Sequence, residues 1–154
     1  MTPRTPFCWR RRVGMRDVDA WGAVWHGNYF GFCDEARAEV LRAFDLEPGT
    51  LFARGLVAPV IEASCRFHAP ARYDDEIDVH VRARLGRGTR LCFDFAICRA
   101  ADGALLTEVS TTQVLVKTGG DLVYLVPEDV GAALGRILAA QAHELPLPDK
   151  KVRP

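Results

Sequence analysis

Residues 76 to 85, EIDVHVRARL, alternate strictly, with Ile77, Val79, Val81, Ala83 and Leu85 on one face and Asp78, His80, Arg82 and Arg84 on the other. A period of two marks a half-buried strand. After the Gly-rich turn GRGT at 86 to 89, Leu91, Phe93, Phe95 and Ile97 resume the alternation on a returning strand. Asp102-Gly103 marks a tight hairpin. The pattern predicts a third strand over 105 to 117, and DLVYLV, after Gly119-Gly120, predicts a short fourth. Hairpin connections of this kind imply an antiparallel meander. Upstream, GLVAPVIEASCRF at 55 to 67 reads as a further strand, and residues 7 to 16 as a first. Between these two the period changes. Tyr29, Phe30, Cys33, Ala36, Val40, Leu41 and Phe44 recur at helical spacing, while Asp34, Glu35, Arg37, Glu39 and Arg42 fill the remaining positions. So wide an apolar stripe needs cover on more than one flank, which a curved sheet wrapped around the helix supplies. Residues 127 to 141 start with Pro and two acids and predict a terminal helix.

Composition narrows the class without changing this picture. The chain has 154 residues, about one ordinary domain. We expect a single domain over 1–144 and a loosely ordered tail from Leu145. Lys+Arg and Asp+Glu each total 20, so the overall basic excess of a general nucleic-acid binder is missing. The N-terminus has arginines but no apolar run behind them, and no apolar stretch approaches the ~20 residues of a membrane span. The expectation is a soluble, cytoplasmic protein. Its five cysteines show no CxxC spacing and sit mostly inside apolar patterns, which predicts buried reduced thiols.

The chemistry concentrates in DVDAWGAVWHGNYF, residues 17 to 30, just ahead of the long helix. Asp17 and Asp19 are two apart and share a side in extended chain. Gly22 suits a tight loop, and Asn28 or its neighbour can cap the helix. The first N–H groups of that helix lack intrahelical acceptors and carry the positive end of its dipole. An acyl carbonyl oxygen placed there would be polarised towards an oxyanion. A carboxylate in the preceding loop could attack that carbon or activate water, with Trp21, Trp25, Tyr29 and Phe30 excluding bulk solvent. Plainer roles exist: aspartates in such loops form turns and caps, and a histidine among aromatics is often structural. A metal site built on D-x-D and His26 is weakly supported without a second histidine, and no metal or cofactor is expected.

The stretch RDVDAWGAVWHGNYFGFCDEARAEVLRAF resembles the signature of the 4-hydroxybenzoyl-CoA thioesterase family, including its Tol-Pal-associated acyl-CoA thioesterase branch. Asp19, Gly22, Val24-Trp25, His26 and Tyr29 match the motif, and ARAEVLR at 36 to 42 resembles the branch's helix. RFHAPARYDDEIDV and GRGTRLCFDF are similar to the family's later strands, so the likeness spans about residues 10 to 127. It implies an α+β hotdog fold, an antiparallel sheet of five to six strands around one central helix, with a C-terminal helix. It implies hydrolysis of an acyl-CoA or acyl-carrier-protein thioester. Asp19 would be nucleophile or general base and the His26 N–H the oxyanion donor. Asn28, Tyr29 and Trp25 would line the thioester site, and Arg84, Arg87 and Arg90 would meet coenzyme A phosphates. The family also implies a homodimer or homotetramer with active sites at subunit interfaces. Rival readings are a hotdog dehydratase using His26 with Asp34 or Glu35, and a non-catalytic acyl-CoA-binding protein. Aromatic crowding at the loop suggests a bulky, aryl or polyketide-like acyl group.

Overall fold

The computed structural model describes residues 5–142; the tail expected to be loose lies outside them. In chain order the elements are β1 (Cys8–Arg12), a 3-10 turn (Met15–Asp17), α1 (Asn28–Ala43), α2 (Pro48–Ala53), β2 (Leu56–Val57), β3 (Val60–Phe67), β4 (Glu76–Leu85), β5 (Arg90–Arg99), β6 (Leu105–Val114), β7 (Val116–Lys117) and α3 (Glu128–Gln141). Strands β1, β4, β5, β6 and β3 form one antiparallel sheet in that spatial order, and β2 pairs with β7. The sheet lays its apolar face on α1, an α+β hotdog architecture.

Alternation and burial agree closely on β4: Ile77, Val79, Val81 and Ala83 are buried, and Leu85 is exposed at the strand's end. Strand β5, in the middle of the sheet, is buried on both faces from Leu91 to Ile97. On α1 the buried residues are Tyr29, Phe32, Cys33, Ala36, Val40 and Leu41. Phe32 therefore joins the stripe, while Phe30 and Phe44 are only half-buried. All five cysteines are free of disulfides; Cys33 and Cys92 are buried and the other three half-buried. Burial pushes the Cys33 thiol well above its ordinary range.

Several elements depart from their sequence expectations. The segment 55–67 is not one strand, because Pro59, with no N–H to give a ladder, separates β2 from β3. The strand expected over 105–117 breaks at Leu115, whose buried side chain joins the core as the chain turns away to pair with β2. LVYLV is not a strand: one isolated bridge joins Val116 to Leu122, and Tyr124 and Leu125 point outward. The first strand stops at Arg12, and Val13 donates its N–H to the Asp75 carbonyl instead. Helix α2, with Pro48 at its start, went unpredicted.

The two borders of the sheet differ. At β4, beyond the reach of β1, the Gln141 amide accepts the Ala83 N–H at 2.9 Å and donates to the Ala83 carbonyl at 2.7 Å, so α3 closes that border. Strand β3 forms the other border with seven of its eight residues exposed and Cys65 half-buried. Val60, Ile61 and Phe67 are among the exposed residues. An apolar edge left open over eight residues is a template for another strand.

Candidate active site

Residues 17–25 fold into a small hairpin. Asp19 N–H donates to Ala23 O at 2.8 Å, Gly22 N–H to Asp19 O at 3.0 Å, and Val18 bridges Val24. Gly22 takes φ +75°, the left-handed conformation that closes a three-residue hairpin loop. The Asp19 carboxylate sits at the tip and accepts the Trp21 N–H at 2.8 Å.

The base of the hairpin is locked to the helix. The Asp17 carbonyl accepts Trp25 N–H at 2.8 Å and the Asn28 side-chain amide at 2.9 Å. Its carboxylate accepts the Gly14 N–H at 2.8 Å and pairs with Arg11, whose guanidinium lies 4.2 Å from the Phe32 ring centre. The two aspartates thus divide the labour, Asp17 bracing the loop and Asp19 at its tip. Asp17→Ala removes a half-buried, charge-assisted pair, for which about 2 kcal/mol is the usual scale. At ~2–4 °C per kcal/mol for a chain of this size, calorimetry should show a melting temperature lower by about 4–8 °C.

Of Asn28 and its neighbour, the N-cap of α1 is the neighbour, Gly27, with no side-chain capping bond; the Asn28 side chain reaches back to Asp17. Among the described residues neither the His26 nor the Gly27 N–H meets an acceptor. A Cβ on Gly27 would stand 2.2 Å from the Trp25 ring, so a glycine is needed for that indole to fold over the helix start. The Trp25 ring also lies 4.9 Å from the exposed His26 ring.

The hairpin is stitched to the segment following β3. Val24 N–H donates to Ala71 O at 2.8 Å, and Ala23 bridges Arg72. Tyr29, 2% exposed, accepts the Ala71 N–H at 3.1 Å on its phenol oxygen and packs edge-on to Phe67 at 5.5 Å. Tyr29 is thus buried behind the hairpin and not presented at its surface. Tyr29→Phe strands the buried Ala71 donor, a loss of about 1–3 kcal/mol; chemical denaturation should show the midpoint fall with an unchanged slope.

Water exclusion by all four aromatics does not hold within one chain. Trp21 is 87% exposed and Trp25 49%, so among the described residues neither is covered. The basic residues are also divided. Arg84 is bonded to Asp94, which holds the guanidinium proton more tightly than usual. Arg87 and Arg90 are exposed beside Leu91, which pairs with Gln113, and Gln113 pairs with Val60. That is the end of β3 away from the hairpin, so within this chain they are not gathered with Asp19. Besides Arg11 at the hairpin's base, Arg72 reaches its tip, with the guanidinium 3.4 Å from Gly22 O; it lies 53 positions from Asp19, and no local pattern points to it. Asp17, Asp19 and His26 do not form a metal-type cluster among the described residues. The one such group is Cys8, Asp78 and His80, and Arg10 takes both Asp78 oxygens at 2.7 Å.

A second feature lies under the C-terminal half of α1. A cavity of about 410 Å³ is walled chiefly by Leu41, Leu46, Leu51, Val57, Leu91 and Leu115.

A curled antiparallel sheet around one helix, with a carboxylate-bearing hairpin at the helix start, defines a hotdog-fold thioesterase domain. The family model described as thioesterase superfamily matches residues 22–105. The acyl-CoA thioester hydrolase YbgC of Escherichia coli is 35% identical over 112 residues, 73% of this chain and 83% of that protein. A crystal structure of a hypothetical protein from Aquifex aeolicus superposes with TM-score 0.77 at 30% identity, covering 84% of this chain and 99% of the other. The 1,4-dihydroxy-2-naphthoyl-CoA thioesterase of Synechocystis shares the fold at TM-score 0.78 and 24% identity, covering 89% and 98%. The chain belongs to the thioesterase superfamily.

Proposed function

We propose that this chain hydrolyses an acyl-CoA or acyl-carrier-protein thioester at the hairpin, with Asp19 as nucleophile or general base and the His26 N–H as oxyanion donor. The observation that carries this reading is the pair of unengaged amides, His26 and Gly27, at the start of a 16-residue helix tied by hydrogen bonds to the hairpin bearing Asp19. Asp19 stands two residue pairs beyond the Asp17/Trp25 rung, about 7 Å of strand. A carbonyl about 3 Å from a carboxylate on one side and about 3 Å from an amide on the other spans a similar gap.

The thioester oxygen accepts the free helix amides and gains negative charge where the dipole favours it. Asp19 either attacks the carbonyl carbon, forming an acyl-carboxylate anhydride that water later opens, or takes a proton from the attacking water. In both routes the C–S bond breaks and the thiolate leaves and is protonated. Loss of one oxyanion donor costs other acyl-transfer enzymes about 100- to 1000-fold, so backbone placement at His26 matters on the same scale as the carboxylate. Trp25 and Asn28 border this point, and Arg72 adds a cation beside it.

The open β3 edge, with exposed Val60, Ile61 and Phe67, fits a second copy of this chain paired across a two-fold axis. Such pairing sets the exposed tryptophans against a partner and brings each hairpin to the other copy's Arg87 and Arg90 for the coenzyme A phosphates. No helix among the described residues is long and apolar enough to cross a membrane. Five cysteines outside any disulfide favour the cytoplasm as the site of action. The test is thiol release from a panel of acyl-CoAs by the wild type and by Asp19→Asn. Release abolished only by changing His26, with water adding to an enoyl-CoA, would point to the dehydratase instead.

A further inference from the structure

We propose that Cys8, Asp78 and His80 form a binding site for a divalent metal ion of the zinc class, on the sheet face turned away from α1. The proposal does not depend on the thioesterase reading. Register brings the three residues together. Cys8 of β1 is paired with His80 of β4, and Asp78 lies two residues before His80, so all three side chains stand on one face. That face is the outer one, because Ile77, Val79 and Val81, which alternate with them along β4, are buried in the core. Directly opposed residues of an antiparallel pair hold their Cβ atoms about 4.5–5.5 Å apart. One ligand atom from each residue, a sulfur, a ring nitrogen and a carboxylate oxygen, lies within 4.8 Å of the other two. Zinc bonds of about 2.0–2.3 Å in a tetrahedron hold ligand atoms roughly 3.3–3.8 Å apart, so side-chain rotations that move these atoms by about an ångström close the set. All three residues are half-buried, and Cys8 is in no disulfide.

The donor set selects the ion. Calcium and magnesium take oxygen ligands, whereas a thiolate, an imidazole and one carboxylate suit zinc, with the fourth position left to water. On binding, the Cys8 thiol gives its proton to solvent and its sulfur an electron pair to the metal, with no change of oxidation state. The thiolate and the Asp78 carboxylate together balance the two charges of the ion. Arg10 engages Asp78 without excluding a metal. Its Nε and Nη2 reach one carboxylate oxygen each at 2.7 Å. An ionised carboxylate offers about four acceptor positions, so one on each oxygen is left. Arg10 then orients the ligand from outside, as hydrogen-bond partners of metal-bound carboxylates commonly do. The bound ion ties β1, the outermost strand at one border of the sheet, to β4. No ligand spacing along the sequence announces the site, since α1 and β3 separate β1 from β4 in the chain.

Cobalt is the probe, because its absorption reports the ligands. The full chain, stripped of metal by a chelator and kept reduced, is titrated with Co2+. It should take up one ion per chain, with the visible bands of a four-coordinate site and a near-ultraviolet thiolate-to-cobalt band, and Zn2+ should then displace both. Cys8→Ser should lose the thiolate band. Cys8→Ser and His80→Ala, each confirmed as folded by circular dichroism, should bind Zn2+ at least ~10-fold more weakly in titration calorimetry, the loss usual even for an outer-shell partner. Cys98, paired with Asp78 on the same face, is a rival thiol, and Cys98→Ser should keep the band. Zn2+ at about 100 times its dissociation constant should raise the wild-type melting temperature by about 5–10 °C. Ca2+ at the same concentration should leave it unchanged, as should Zn2+ added to Cys8→Ser. A folded wild type that takes up no Co2+ or Zn2+ at micromolar concentration would overturn the site. A thiolate band that survives Cys8→Ser, or a zinc affinity unchanged by both substitutions, would overturn it as well.

Discussion

Asp19→Asn is expected to lower kcat for acyl-CoA hydrolysis at least ~100-fold, the scale of losing a principal acid or base, with much less change in KM. The substitution is clean for a structural reason. One Asp19 oxygen accepts the Trp21 N–H at 2.8 Å, and an asparagine carbonyl can do the same, so the hairpin keeps its shape. What is lost is the charge and the basic oxygen. A thioester has less resonance stabilisation than an ester, which lets one carboxylate and a polarising helix end suffice without a Ser-His-Asp triad. Steady-state thiol release across a concentration series separates the two parameters. A variant with wild-type kcat would move the chemistry to another group, with His26 the nearest alternative on the loop.

The second large effect is expected at the open edge. With the two-fold axis of the proposed pairing at the middle of β3, Ile61 faces Arg66 of the second copy, and the symmetry repeats every change. Ile61→Arg places a cation against a cation twice. At about 2 kcal/mol or more for each like-charge contact, the dimer should dissociate roughly a thousandfold more readily. Sedimentation equilibrium should find the wild type dimeric at micromolar concentration and the variant largely monomeric. Hydrolysis should fall with dimer content, since in the proposed pairing Arg87 and Arg90 reach the hairpin only across the interface. A monomeric variant with full activity would confine the site to one chain.

Much of the fold was legible because period reports burial directly. Strand β4 follows its alternation from Ile77 to Ala83, α1 buries most of its stripe, and α3 begins at the Pro and acids that signal its start. The misreadings lie where pairing outweighs pattern. LVYLV is apolar enough for a strand, but beside it β7 is only two residues long and already paired with β2. GLVAPVIEASCRF is continuous in composition yet divided at Pro59. For the site, the motif located the hairpin and singled out Asp19 but left Asp17 without a role. That role comes from Arg11 and Gly14, which reach Asp17 because β1 and the 3-10 turn bring them there. Arg72 and the separation of Arg84, Arg87 and Arg90 from the loop depend on register, which no single segment encodes. Exposure of Trp21 and of β3 is likewise set by position at the sheet border.

The most direct test of the central claim is a crystal structure of the Asp19→Asn protein with a non-hydrolysable acyl-CoA thioether ketone. The account predicts the ketone oxygen about 2.7–3.1 Å from the backbone nitrogen of His26 or Gly27, with the substituted side chain at position 19 facing the carbonyl carbon. A ketone seated away from these amides, or a side chain at position 19 directed to solvent in the assembled protein, would contradict it.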